Sequence, residues 1–160
     1  MPVRGQWLLS AAILKQWQDS PLESIFRDAW GATPALKNRN DCRPFNDSEA
    51  RPVKEHPRPY LVYEEFDAIK IGHSSGTTPD TKIVYLDCPV GFRIYGSTKG
   101  QAAKYAELVK DLYGEEKRLT ILQDRHFQTL HDVDRPIRVD DKTWIWLVSM
   151  RFRIEGDLKA

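Results

Sequence analysis

The sequence predicts an α+β fold in which a single twisted sheet of about five strands, mostly antiparallel or mixed, is packed by an N-terminal helical segment and one central helix. Apolar residues at helical spacing occur in the N-terminal segment and in one later segment. Short alternating apolar runs fill much of the remainder and predict strands. The length of 160 residues suits one hydrophobic core, so we expect residues 1–160 to form a single domain.

The closing segment, residues 142–155, gives the clearest strand pattern. Side chains of a strand alternate between its two faces. One face is wholly apolar and consists of Trp144, Trp146, Val148, Met150, Phe152 and Ile154. The other face consists of Ile145, Leu147, Ser149, Arg151, Arg153 and Glu155. Because this second face is apolar only at its start, we expect the strand to be covered on both faces at its beginning and on one face at its end.

Two amphipathic helices are predicted at the N-terminus. Apolar residues recur at helical intervals over residues 6–17, with polar residues between them. A second helix begins next, because Ser20 can cap it, Pro21 suits the first helical position and Glu23 completes a capping box. Packing of the two apolar stripes accounts for Trp7 and Trp30.

A long irregular loop is predicted at about residues 32–58. The segment is rich in Pro, Asn, Asp and Ser, which disfavour both helix and strand. Its basic residues are Lys37, Arg39, Arg43, Arg51, Lys54 and Arg58. Acidic residues are interspersed and no Lys/Arg block forms, so a solvated loop is favoured over a nucleic-acid patch.

The middle of the chain predicts a hairpin. Residues 60–66 form a strand that continues over residues 68–71 after a kink. Residues 72–80 make a turn-rich tip, and a long strand follows over residues 81–95.

That long strand is interrupted and then leads into the central helix. Pro89 and Gly91 predict a bulge or bend within it. The helix spans residues 99–113, where an apolar row faces a charged row, and either Ser97 or Thr98 can cap it.

Further strands are predicted after the helix. Residues 119–127 alternate as one strand, and residues 129–139 hold one or two short strands. Asp140 and Asp141 make the tight connection to the closing strand.

The composition is that of a soluble globular protein. The chain has 41% hydrophobic and 29% charged residues and a net charge of +1. No apolar run approaches the roughly 20 residues that span a bilayer, so we expect no membrane insertion. Polar residues punctuate the N-terminal apolar stretch, so we expect no signal peptide and synthesis in the cytoplasm. Cys42 and Cys88 are then expected to be free thiols.

The residue patterns predict no catalytic, cofactor or metal site. Metal-ligand residue types gather at His126, His131, Asp132 and Asp134, with Asp124 nearby. Their spacing fits no common ligand arrangement, and aspartates in turns commonly bond the backbone, so a metal site is disfavoured. The tip at residues 73–78 has the small residues of a phosphate loop but not its Gly-Lys-Ser/Thr ending or following helix. Neither cysteine lies in a nucleophile motif.

Five tryptophans and six tyrosines raise the alternative of a stacking platform for single-stranded nucleic acid. Trp144 and Trp146 share their strand face with aliphatic residues, so a core position is favoured for both. Arg151, Arg153 and Glu155 have no place in a core. They form either a solvated face or the lining of an intersubunit surface.

The order of parts resembles that of a known family. A helical segment and a long loop precede a strand entered through Arg-Pro-Tyr-Leu-Val-Tyr at residues 58–63. A later strand runs through Phe-Arg-Ile-Tyr-Gly-Ser at residues 92–97 into the helix AAKYAELVKDLYG, followed by Leu-Thr-Ile at residues 119–121 and the aromatic closing strand. Over about residues 58–155 the chain resembles the tail terminator, or tail completion, proteins of long-tailed phages and prophages.

The resemblance implies a non-enzymatic α+β domain that forms a ring, commonly of six subunits. The ring caps the tail tube protein and offers its other surface to a head-completion or connector protein. Its location would be the virion, after assembly in the bacterial cytoplasm, and it would meet nucleic acid at most as DNA passing through the ring. Ring closure requires two different, complementary patches on each subunit. Arg151, Arg153 and Glu155 are the residues we expect on such an intersubunit or partner surface.

Three alternatives stay open. The first is another head-tail connector or neck protein of similar architecture. The second, from a different class, is a nucleic-acid-binding module that uses the basic loop residues and the tryptophans. The third is a metal-dependent hydrolase built on His126, His131 and Asp132.

Overall fold

A computed structural model describes residues 8–30, 44–46, 57–73, 83–114, 119, 122 and 125–157. The helices are α1 (Leu8–Gln18), α2 (Leu22–Ala29) and α3 (Lys99–Tyr113). The strands are β1 (Phe45–Asn46), β2 (Tyr60–Glu65), β3 (Ile69–His73), β4 (Ile83–Gly96), β5 (His126–Asp140) and β6 (Thr143–Asp157). The predicted α+β fold is confirmed.

The strands form one sheet in the order β1-β2-β4-β6-β5, with β3 also paired to β4. The two-residue β1 is parallel to β2, and every other pair is antiparallel. β4 and β6 are paired along their whole lengths and form the centre. The prediction of about five strands, mostly antiparallel or mixed, is therefore confirmed for the part of the chain described.

β2 and β3 lie end to end along the same edge of β4, so the predicted continuation of the strand after a kink is confirmed. Glu65 pairs with Val90, and Ile69 pairs with Asp87. Pro89 falls between these two pairs, and its carbonyl accepts a hydrogen bond from the Phe66 N–H at 3.0 Å.

The predicted bulge at Pro89 and Gly91 is wrong, because β4 keeps an unbroken register with β6 through both residues. The N and C=O of one strand residue point to the same edge. The nitrogen of Pro89, which carries no hydrogen, therefore faces the break between β2 and β3. The β4–β6 ladder loses no hydrogen bond because of it.

The three helices pack on one face of the sheet. From the two central strands this face buries Val84, Leu86, Cys88, Val90, Phe92, Ile94, Val148, Met150, Phe152 and Ile154. Tyr113 of α3 stacks on Phe92 at a centroid distance of 5.0 Å, and its hydroxyl donates to the Ile13 carbonyl of α1 at 2.8 Å. Trp17 and Phe26 join α1 to α2 edge to face. Both predicted N-terminal helices thus contribute to a single core.

The predicted start is confirmed for α3 and is off by one residue for α2. α3 has the predicted bounds, and Thr98 is its cap, because its Oγ1 accepts the Gln101 N–H at 3.1 Å. α2 begins at Leu22, so Pro21 takes the N-cap position without a side-chain cap bond, and the Ser20 hydroxyl before it accepts the Leu22 N–H at 3.2 Å. Trp30, which follows α2, is buried and donates its indole N–H to the Pro59 carbonyl at 2.7 Å. Trp7 lies outside the described residues.

The strands predicted after α3 are corrected. Leu119 and Leu122 are joined by a turn hydrogen bond of 3.0 Å and are both buried, so they do not belong to a strand. One 15-residue strand, β5, covers the end of the strand predicted at residues 119–127 and all of residues 129–139, where one or two short strands were predicted. Register shifts interrupt its pairing with β6 in three places, near Phe127, Asp132 and Val139. A sequence pattern of two short strands is what such a bulged strand produces.

The expectation that both faces of β6 are covered at the start of the strand is wrong. Trp144, Trp146 and their neighbours Ile145 and Leu147 are only half-buried, whereas the strand is most buried later. Trp144 pairs with Gly96, where β4 ends and the chain turns away into α3. Among the described helices, only the first turn of α3 lies at this end of the sheet, with Ala102 against Gly96 and Lys99 over the Trp144 ring, and it leaves both tryptophans partly exposed.

The predicted irregular loop at about residues 32–58 lies mostly outside the described residues. Phe45–Asn46, which belongs to it, pairs in parallel with Val62–Tyr63, so this part of the segment is a strand. The predicted tip at residues 72–80 is described only at Gly72 and His73, both in β3.

Candidate functional site

The second face of the sheet, which we call the open face, is the candidate site. Its side chains lie opposite those that pack against the helices, and neighbouring strands place them in cross-strand rows. It includes Tyr60, Val62, Glu64, Phe66, Ile69, Gly72, Tyr85, Asp87, Pro89, Gly91, Arg93, Tyr95, Gln128, Leu130, Asp132, Val133, Arg135, Ile137, Ile145, Leu147, Ser149, Arg151, Arg153 and Glu155. None of the described helices contributes to this face.

One end of the open face is aromatic and aliphatic. Tyr60 stacks on Tyr95 with their ring centroids 4.4 Å apart, and Tyr95 pairs with Ile145 across the next strand boundary. Ile137 of β5 completes this row and is exposed. A row of large apolar side chains half open to solvent is typical of a surface that meets another protein.

The middle of the open face is a shallow depression of about 220 Å³. Gly91 and Ser149, which face each other across β4 and β6, leave space because their side chains are small. Phe66, 49% exposed, lies at the edge of this space, and a Cβ on Gly91 would be 3.5 Å from its ring. Val133, Leu147, Glu64, Arg93 and Arg135 also line the depression.

The other end of the open face is a charge network around Asp87. Arg151 donates from Nη1 to Asp87 at 2.9 Å and from Nε to Asp132 at 2.8 Å. Arg153 lies 3.8 Å from the same Asp87 oxygen and donates to Gln128 at 3.0 Å. The network therefore ties β4, β6 and β5 together.

Asp87 differs from its partners in burial. Its side chain is 5% exposed, whereas that of Arg151 is 34% exposed. A buried carboxylate is tolerated only when it is paired, and a partly exposed arginine keeps much of its hydration. The Asp132 hydrogen bond, together with the charge of Asp87, raises the pKa of Arg151. Both arginines are therefore held in place by contacts within the chain itself.

The structure brings Arg151 and Arg153, two of the three residues expected on a partner surface, into this network. Glu155 lies on the same face and pairs with Tyr85 in the next strand. All three are partly exposed, so they remain available to a neighbour while two of them carry internal ion pairs.

Sequence reasoning missed Asp87 and the depression. A signal for Asp87 was available, because it is an acidic residue between Leu86 and Cys88 in a mostly apolar strand. Its partners were not readable, since they depend on the pairing of β4 with β6. The depression depends on Phe66 reaching over Gly91 and has no sequence signature.

Among the residues described, the histidines and aspartates considered as metal ligands do not gather in one place, although the charge of His131 helps to lower the pKa of Asp134. His126 is buried, and its Nδ1 accepts the Leu119 N–H at 2.9 Å. Asp132 binds Arg151 on the open face, whereas Asp134 binds Lys110 of α3 on the helix side. Among the residues described, no cluster of three potential metal ligands occurs. Asp124 lies outside them.

Cys88 is a buried free thiol on the helix side of β4. Burial raises its pKa to about 12, and the charges of Asp87 and Glu65 act in the same direction. The thiol is therefore protonated at neutral pH and is a poor nucleophile. Cys42 lies outside the described residues.

The two tryptophans of β6 occupy different surroundings. Trp146 packs against the core and donates its indole N–H to Asp134. Trp144 lies at the end of the sheet, with Lys99 and Arg138 each 5.9 Å from its ring centroid. The core position predicted for both is thus partly correct for Trp146, whereas Trp144 is a half-exposed ring with two cations over it.

Comparisons with known proteins leave the family open. No protein-family model matches the chain, and no curated protein matches it. The helices of the described residues include none with the length and apolar character needed to cross a membrane.

Proposed function

We propose that the chain is a structural assembly protein of a phage or prophage, which forms a ring that caps the tail tube and provides the head-tail joining surface. The sequence resemblance over about residues 58–155 motivates this proposal. In it, the partners are further copies of the chain, the tail tube protein and a head-completion or connector protein. The protein acts in the virion after assembly in the bacterial cytoplasm.

The observation that carries the proposal is the open face itself. Apolar side chains such as Phe66, Val133 and Ile137 are exposed on it beside arginines and carboxylates. This mixture of exposed apolar and charged side chains suits a protein interface with an apolar centre and a polar rim. An α+β domain whose helices cover one sheet face leaves the other face for such contacts.

The Asp87 network supports a positioning role for Arg151 and Arg153. Charges across an interface fix orientation and partner choice more than they add affinity. Side chains already held by internal ion pairs lose less conformational entropy when a neighbour docks. We therefore assign Arg151, Arg153 and Glu155 to the intersubunit or partner surface, with Asp87 and Asp132 holding Arg151 in place.

Sedimentation velocity over a range of protein concentrations, with and without purified tail tubes, tests the proposal. We expect a closed oligomer of defined mass, or its formation on the tube ends. A strict monomer at high concentration that also fails to bind tubes would contradict the proposed function. Binding to a neck component but not to tubes would favour another head-tail connector or neck protein, the related alternative.

A nucleic-acid-binding module is the second candidate, and Trp144 is the observation that favours it. A half-exposed aromatic ring flanked by Lys99 and Arg138 has the parts of a stacking site for single strands. Binding of labelled single strands with a steep salt dependence would support it. Loss of that binding in Trp144→Leu, with no loss in Trp146→Leu, would assign it to this ring.

A further inference from the structure

A buried histidine holds the connection between α3 and β5. His126, the first residue of β5, is 1% exposed. Its Nδ1 accepts the Leu119 N–H at 2.9 Å, and its Nε2 lies 2.7 Å from the Thr129 hydroxyl oxygen. A ring nitrogen that accepts a hydrogen bond carries no proton, so the neutral ring has its proton on Nε2 and donates it to Thr129.

The hydrogen bond from Leu119 fixes a whole turn. Leu122 donates its N–H to the Leu119 carbonyl at 3.0 Å, and Arg125 donates its N–H to the Leu122 carbonyl at 2.9 Å. Leu119 and Leu122 are both buried in the hydrophobic core. Release of the Leu119 N–H would therefore free a turn that contributes two leucines to the core.

A protonated imidazole cannot keep this arrangement. It has an N–H on both nitrogens, so a donor on Nδ1 would face the Leu119 N–H, which is also a donor. The hydrogen bond would be lost, and a positive charge would lie inside the core, where water does not solvate it. Opening of the turn relieves both costs, because it exposes the ring to water.

The side chains that β6 packs on the ring are apolar. Phe152 meets the ring edge to face at a centroid distance of 5.5 Å, and Ile154 is the cross-strand neighbour of the histidine. Arg153 and Glu155 alternate with these two residues and point to the open face. Arg125, which precedes the histidine, is exposed. The charges of β6 therefore lie across the sheet from the ring.

The titratable groups on the helix side are engaged elsewhere or are neutral. From α3, Lys110 donates to Asp134, and the Tyr113 hydroxyl donates to a backbone carbonyl of α1. From β4, the Cys88 thiol is neutral because burial raises its pKa to about 12. Protonation of His126 therefore acts first on its bond with the connection.

We propose that His126 is a pH-sensitive switch, which holds the α3–β5 connection on the core at Leu119 while the imidazole is neutral and releases it when the imidazole is protonated. A solvated imidazole takes up a proton near its ordinary pKa of about 6.5. The closed turn excludes that proton, so the open form binds more protons, and closure is favoured above this pH and weakened as the pH falls below it. The switch does not depend on the proposed function.

Hydrogen exchange of the Leu119 amide, followed by NMR, measures the opening of the turn. After correction for the intrinsic rate at each pH, exchange should rise up to about thirtyfold between pH about 8 and pH about 5, because the open form gains a proton that the closed form excludes. Unchanged protection of Leu119 over this range would overturn the proposal.

Proton–nitrogen correlation spectra of the imidazoles test the same switch in the wild-type protein. The proton of His126 should lie on Nε2 at pH about 8. A proton on Nδ1 at that pH, or a protonated His126 beside a Leu119 amide that stays protected, would overturn the proposal.

His126→Asn separates the switch from other effects of acid. Its side-chain oxygen can accept near the position of Nδ1, and it binds no proton in this range, so the rise in Leu119 exchange should shrink to less than about threefold. His131→Asn, at an exposed position of the same strand, is the matched control and should keep the wild-type rise. A rise in His126→Asn as large as in the wild type would overturn the switch. The wild-type imidazole spectra decide the matter even where His126→Asn does not fold.

Discussion

The two faces of the sheet differ in what their side chains do. On the helix side, rows of buried apolar residues run from Val84 to Ile94 in β4 and from Val148 to Ile154 in β6, and Phe92 stacks on Tyr113 from α3. On the open face the same two strands present Asp87, Arg93, Arg151 and Arg153 between half-buried aliphatic residues. Folding stability therefore arises mainly on one face, and the other face is left to carry surface chemistry.

The polar groups of the two faces also differ in how they are paired. On the helix side they satisfy one another: Ser10 and Tyr63 share a hydrogen bond of 2.6 Å, and the His126 ring lies 2.7 Å from the Thr129 hydroxyl. On the open face the ion pairs are partly solvated, so each contributes less to stability and can respond to a partner. The comparison can be tested by matched substitutions on the two faces.

The largest expected effect is the removal of a helix-side aromatic ring. Phe92→Ala should lower the free energy of unfolding by about 3–5 kcal/mol, because Phe92 is fully buried and a cavity would remain. Leu147→Ala, its counterpart on the open face, should cost about 1 kcal/mol, since Leu147 is half-buried. Urea unfolding measures both. Equal losses would show that the open face is as much a core as the helix side.

The next effect concerns Asp87. Asp87→Ala should lower the free energy of unfolding by about 1–3 kcal/mol, because it removes the partner that Arg151 and Arg153 share. Both arginines are partly exposed, so water can hydrate them once Asp87 is gone. Asp132→Ala should cost less than about 1 kcal/mol, since that pair is at the surface. Chemical denaturation compares the two variants. A larger loss for Asp132 would mean that Asp87 is not the centre of the network.

The smallest effect is a pH dependence at Asp134. Burial tends to raise its pKa, but the hydrogen bonds from Lys110 and Trp146 outweigh this and lower it. A carboxyl with a lowered folded-state pKa stabilises the fold above its unfolded pKa of about 4, and that contribution disappears as the pH falls through the folded value.

Asp134→Asn keeps an acceptor oxygen for Trp146 and removes the charge together with the oxygen that accepts from Lys110. Its stability deficit, of less than about 1 kcal/mol, should be constant above pH about 5 and vanish below pH about 3. Urea midpoints measured across this range check it. Asp111→Asn, at an exposed position of α3, is the control and should show no such deficit. A deficit that persists at low pH would contradict the assignment to the charge.

Much of the fold could be predicted because local signals agreed with the final structure. The apolar stripe of α3, its Thr98 cap and the alternation in β4 are readable without long-range information. The errors arose where tertiary pairing decides. Pro89 is harmless because β2 ends and β3 begins opposite it, and Leu119 and Leu122 lie in a turn although their surroundings alternate.

The candidate site was predictable only in part. The alternation of β6 alone places Arg151, Arg153 and Glu155 on one face. Their connection to Asp87, 64 residues away from Arg151 in sequence, requires the register between strands. The depression requires both that register and the position of Phe66 beyond the end of β2, and neither is encoded locally.

Negative-stain electron microscopy of the purified protein tests most directly whether the open face is an association surface. We predict ring-shaped particles of uniform size for the wild type and their loss in Gly91→Leu, while Ile71→Ser still forms them. Micrographs of the wild type that show only separate particles of monomer size, even at high protein concentration, would contradict the prediction that the open face is an association surface.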